Sequence, residues 1–129
     1  MLCTLVGFCT YAQESNGKYI QIKEVYNFQE RFNEYRVNSY LKHKFEEAGY
    51  MVFYDNQPVP DAVKADPCKL YICNVERDKA TLTTKLKVTL VNCKDETVFT
   101  ANGQSRIKRR VHSHVDALKN ALEFSTLKK

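Results

Sequence analysis

The stretch TLTTKLKVTLVNC, residues 81–93, alternates apolar and polar side chains more strictly than any other part of this chain. Leu82, Leu86, Val88 and Leu90 fall on one side of an extended backbone, and Thr83, Lys85, Lys87 and Thr89 on the other. A strand with one wet face belongs in an antiparallel pairing, because all-parallel sheets are covered on both faces. The preceding segment CKLYICNVE, residues 68–76, supplies a partner strand, and the two predict a hairpin about residues 78–81. With 129 residues the chain is one domain, with room for one modest core.

The other elements follow from periodicity and punctuation. KYIQIKEVY, residues 18–26, puts Ile20 and Ile22 on one face and predicts a first strand. Val37, Leu41, Phe45 and Ala48 recur at helical spacing, and Gly49 is a natural stop. YMVFYD, residues 50–55, is a continuous apolar run of buried-strand length. NQPVPDAVKADP, residues 56–67, holds three prolines and predicts the longest loop, a place for an adaptable binding surface. TVFTA, residues 97–101, reads as a last strand, with a turn or bulge at Asn102-Gly103. Val111, Val115, Leu118 and Leu122, flanked by Ala121, predict a closing helix. The order is β-α-β-β-β-β-α. It predicts an α+β two-layer sandwich: a mostly antiparallel sheet of four to five strands, two helices on one face, and a first β-α-β crossover that sets two strands parallel.

Compartment turns on residues 1–13, MLCTLVGFCTYAQ, which carry no charge and are mostly apolar or small. Thr10 and Ala12 suit a signal-peptidase site before Gln13, so residues 1–13 read as a signal-peptide remnant and 14–129 as a single exported domain. The competing reading is the first strand of a cytosolic domain. No stretch approaches the ~20 apolar residues that span a bilayer, so any membrane association is peripheral. Removing the leader leaves Cys68, Cys73 and Cys93. If the two strands pair as this hairpin, Cys93 is a direct or diagonal cross-strand neighbour of Cys68, depending on register, and a bridge there closes a loop of about 25 residues, worth ~3 kcal/mol. Cys73 is then the buried, unpaired thiol. The alternative is three reduced thiols in a cytosolic protein.

The densest chemistry lies in SRIKRRVHSHVD, residues 105–116. On a helix His112 and His114 point about 160° apart, which is unsuited to one metal ion. His112 and Asp116 do have i,i+4 spacing, but they form only a pair; no metal and no cofactor is expected. There is no G-x-S-x-G elbow, no phosphate-cradling glycine loop and no cysteine–histidine neighbour, so the reading is non-enzymatic. What remains is basic. Arg106, Lys108, Arg109 and Arg110 at a strand-to-helix junction, with Lys85, Lys87 and Tyr71 on the hairpin, are the candidate partner contacts. A basic sheet face with an aromatic can bind single-stranded nucleic acid. The absence of RRM and KH motifs and a modest net charge of +5 argue against it.

The chain resembles small exported envelope proteins of unknown function from Gram-negative bacteria. The features that carry the resemblance are YAQ (11–13), YLKHKFEEAGYMVFYDN (40–56), TTKLKVTLVNC (83–93) and VFTANGQSRIK (98–108) leading into ALKNAL (117–122). It covers most of residues 18–124 and brings no catalytic motif. Gly103 and Ser105 fit the strand–turn–Gly–Ser segment that precedes a basic helix start in such proteins. The layout is also similar to anticodon-binding-like α/β domains of envelope lipoproteins and secretion accessories. The resemblance implies an exported accessory that binds an envelope protein or a glycan. The alternative is a cytosolic nucleic-acid-binding module that uses the basic sheet face and the RIKRR patch.

Overall fold

A five-stranded sheet and three helices make up the computed structural model, which describes residues 18–78 and 82–123. In chain order these are β1 (Tyr19–Ile22), α1 (Val37–Glu47), β2 (Met51–Tyr54), α2 (Asp61–Ala65), β3 (Leu70–Arg77), β4 (Thr84–Val91), β5 (Thr97–Ser105) and α3 (Arg110–Glu123). The arrangement is α+β, as the hydrophobic pattern predicts. Residues 1–13, read as a leader, lie outside the described residues.

The strands run β2-β1-β3-β4-β5 across the sheet. β3, β4 and β5 pair antiparallel, with Cys73 opposite Leu90 and Val88 opposite Ala101. β1 is parallel to both its neighbours, β2 and β3. The sheet is therefore mixed rather than mostly antiparallel. The reason lies in the segment expected to be a plain loop. Residues 56–69 contain α2, and they carry the chain from β2 back past β1 to its far side. A right-handed return in that direction crosses the face opposite α1. Phe53, which shares the Gln21 face, and Val63 of α2 are both buried, yet neither belongs to the main core.

The main core lies under α1 and α3, which touch each other on the other face. Ile20, Ile22, Cys73, Val75, Leu86, Val88 and Leu90 meet Val37, Leu41, Phe45, Leu118 and Leu122 there. α1 ends as its sequence requires. Gly49 takes φ 100°, the Tyr50 amide bonds back to the Phe45 carbonyl at 3.1 Å, and the two rings meet edge-on at 6.5 Å.

Three expectations are corrected. Leu82 lies outside β4 and is fully exposed, because the ladder begins at Thr84. Asn102-Gly103 is no turn; both residues are inside β5, and the irregularity falls at Leu90/Val91. A Cβ on Gly103 would sit 1.8 Å from the Ala117 carbonyl oxygen, so this glycine lets α3 lie directly on the strand backbone. α3 is accordingly rotated from the expected stripe. Ala117, Leu118, Ala121, Leu122, Ser113 and His114 face inward, while Val111 is 40% exposed.

Cys68 and Cys93 form a disulfide with 4.8 Å between their Cα atoms, and Cys73 is buried and free. Burial pushes the Cys73 thiol up to about 12, so it stays protonated and acts as a small hydrophobe.

Candidate functional site

The end of the sheet opposite the disulfide gathers the C-terminus of β3, the start of β4, the β5–α3 connection and the first turn of α3. Residues 27–36 are strapped over it. The strap is anchored by a buried amide pair. Gln29 Nε2 donates to Asn38 Oδ1 at 2.7 Å, and Asn38 Nδ2 donates to the Lys23 carbonyl at 2.7 Å. To make the turn into α1, Asn33, Tyr35 and Arg36 all take left-handed backbone angles, with φ between 58° and 61°. Asn33 tolerates this conformation, but a bulky Tyr or Arg there costs on the order of 1–3 kcal/mol.

What the strap delivers is an aromatic bracket for His114. The Tyr35 ring stacks on the imidazole at 4.0 Å and 11°, and Phe28 stacks at 5.8 Å and 19°. His114 is only 2% exposed. Its Nδ1 lies 2.7 Å from the Arg110 carbonyl, an atom that can only accept, so Nδ1 carries the proton. Nε2 is then a lone-pair acceptor, and an Arg77 guanidinium N–H donates to it at 3.3 Å. Burial holds the imidazole below its usual value, and the adjoining Arg77 and Arg110 cations push the same way, against the Arg110 carbonyl. The neutral form is the one the geometry needs.

Arg77 is thereby fixed on two sides, by His114 at one nitrogen and by the Phe28 ring 5.4 Å from its Cζ. A second chain of bonds ties β4 to α3. Thr84 Oγ1 donates to Ser113 Oγ at 2.9 Å, which in turn donates to the Arg110 carbonyl at 3.0 Å.

These residues wall a cleft of about 650 Å³, whose lining includes Arg77, Thr84, Arg106, Lys108, Arg110 and His114. Asp78, Leu82 and Ile107 also reach it. On the other face of the same end, Lys85, Lys87, Asn102 and Glu76 line a smaller cleft of about 340 Å³ that also takes in Arg77 and Asp78. Among the described residues the ion pairs are Arg31–Glu34, Lys42–Glu46, His43–Glu47 and Lys44–Glu47. None involves a cation of either cleft. Arginines held without carboxylate partners around a concave surface can take an anion through bidentate hydrogen bonds.

Of the contact residues expected from sequence, Arg106, Lys108 and Arg110 converge on the larger cleft, while Arg109 is exposed beside it. Lys85 and Lys87 stand on the open sheet face. Tyr71 does not join them. Its register opposite Ile20 puts it on the helix face, where its ring contacts Tyr50 at 6.3 Å and Lys18 Nζ lies 5.2 Å from its centroid. Sequence reasoning missed Arg77 and its contact with His114. One signal was available: in LYICNVER, Arg77 continues the inward parity of Cys73 and Val75, and a cation at that position needs a partner.

No three or more His, Cys, Asp or Glu side chains among the described residues form a group able to hold a metal ion. No helix among them is long and apolar enough to cross a membrane. No protein-family model, curated protein or solved structure matches this chain.

Proposed function

We propose that the chain is an exported, non-enzymatic α/β binding domain, an accessory of the cell envelope that meets an anionic protein or glycan through its basic end. The observation that carries this reading is the convergence of Arg77, Arg106, Lys108 and Arg110 on one cleft, with Lys85 and Lys87 around the adjoining one, and no carboxylate pairing among the described residues. Export is supported by the Cys68–Cys93 bridge, since such bonds persist in oxidising compartments. The sequence of residues 1–13 supports it independently.

Two measurements test the proposal. The N-terminal residue of the native protein is expected to be Gln13; Met1 with reduced Cys68 and Cys93 would refute export. The purified protein is expected to be retained on an immobilised acidic polysaccharide at physiological salt, and retention should fall with the Arg106→Glu/Lys108→Glu pair. Lack of retention together with tight, steeply salt-dependent binding of single-stranded DNA or RNA would favour the nucleic-acid reading instead. The placement of Tyr71 on the helix face weakens that reading, because it removes from the basic face the aromatic proposed for base stacking.

A further inference from the structure

The larger cleft differs from the smaller one in what rims it. Leu82 is fully exposed, Ile107 is 45% exposed, and both line the cleft, while Val111 on the adjoining turn of α3 is 40% exposed. Single exposed apolar residues need no explanation, but here three large ones interleave with Arg106, Lys108, Arg109 and Arg110 at one end of the molecule. Apolar side chains set among Lys and Arg are the composition of a surface that rests on an anionic bilayer. There the former enter the headgroup–acyl boundary and the latter pair with phosphates.

Charge matching narrows what the cleft itself holds. Among the described residues of the lining, four cations, Arg77, Arg106, Lys108 and Arg110, are set against one carboxylate, Asp78, a net of three positive charges. His114 adds none while it is neutral, and its Nε2 keeps the Arg77 fork turned to one orientation. Any single monoanion, carboxylate or phosphodiester, would leave most of that charge uncompensated, whereas an anionic bilayer presents several phosphodiesters side by side. Phosphoryl groups carry more acceptor oxygens and suit the planar guanidinium fork.

We propose that this end of the domain docks peripherally on an anionic phospholipid surface, with a headgroup phosphate in the 650 Å³ cleft and Leu82 and Ile107 entering the interface. The inference rests on reading the basic end as the contact surface. It goes beyond that reading by naming an anionic bilayer as a surface that the larger cleft engages.

The test is co-sedimentation of the oxidised full chain with vesicles of phosphatidylcholine, alone or mixed with phosphatidylglycerol, at physiological salt. The protein is expected to pellet only with the mixed vesicles. Leu82→Ser with Ile107→Ser should reduce partitioning roughly tenfold or more. Arg106→Gln should reduce it about fivefold, the effect of one cation near the surface. Urea midpoints equal to that of the unsubstituted protein would show that both variants remain folded.

Absence of binding to the mixed vesicles would overturn the proposal. So would partitioning indifferent to Leu82 and Ile107 with binding of soluble glycerol 3-phosphate, which would indicate a soluble-phosphate site. Retention on the acidic polysaccharide without vesicle binding would overturn this inference alone, whereas failure of both would also remove the proposed function.

Discussion

The two ends of the sheet are built on opposite plans. At one end the start of β3 and the end of β4 are tied covalently through Cys68–Cys93. The turn beyond is closed by Asn92, whose Oδ1 accepts from the Lys94 and Glu96 amides at 2.9 and 3.0 Å while its Nδ2 donates to Glu96 at 3.0 Å. Polar groups are paired locally there. At the other end the cations lack carboxylate partners among the described residues, two bulky residues sit in left-handed backbone, and order comes from stacking on a buried histidine. One end is satisfied within itself. The other keeps charge and concavity in reserve, at a cost in stability that is typical of binding surfaces.

Substitutions can break this contrast in order of severity. Gly103→Ala places a methyl group inside the backbone of α3, forces the helix off β5 and disturbs the basic end at its root. It should cost about 3 kcal/mol or more, read as a fall in the urea midpoint. Replacing Cys68 and Cys93 with serine should cost ~3 kcal/mol by the same measurement, since the bridge spans a sequence separation of 25. That loss belongs to the closed end, so polysaccharide retention should persist in the folded protein.

His114→Gln should cost about 2 kcal/mol by removing the stack and the acceptor for Arg77. It also carries a pH signature. The folded-state pKa of His114 lies below the ordinary value of 6.5. As pH drops below 6.5 the unfolded chain takes up a proton that the native state still refuses. Stability therefore declines until the folded-state pKa is passed, and then levels off. The Gln variant should lack this component, as denaturation at a series of pH values would reveal. Arg106→Gln is the mildest change, with stability altered by no more than about 0.5 kcal/mol. Its effect should instead be a shallower salt dependence of polysaccharide binding.

The closed end was much more legible in sequence than the open one. Alternation in residues 84–91 and the positions of Cys68 and Cys93 are local signals, and they sufficed for the hairpin and its bridge. The α1 stripe up to Gly49 was equally plain, because its anchors are large. Two features of the sheet and α3 resisted. The parallel placement of β1 between β2 and β3 depends on which face each crossover takes, and no single segment encodes that. The rotation of α3 follows from Gly103 and the small Ala117 and Ala121, which contribute little hydrophobic amplitude beside Val111 and Val115. The basic end was half visible. RIKRR announces itself, but the Arg77–His114 contact joins residues 37 apart, and left-handed Tyr35 and Arg36 have no signature in residue type.

The antiparallel seating of α3 along β5 has a practical corollary for handling the protein. Lys18, whose carbonyl accepts from Met51 and whose Nζ reaches the Cys68 carbonyl, sits at the disulfide end. α3 starts at the basic end and runs back across Gly103 toward the same place. A tether attached at Lys18 or at the last turn of α3 thus departs from the side remote from the clefts. Grafted to a bead or sensor chip by either route, the domain presents its cationic end outward and free for capture.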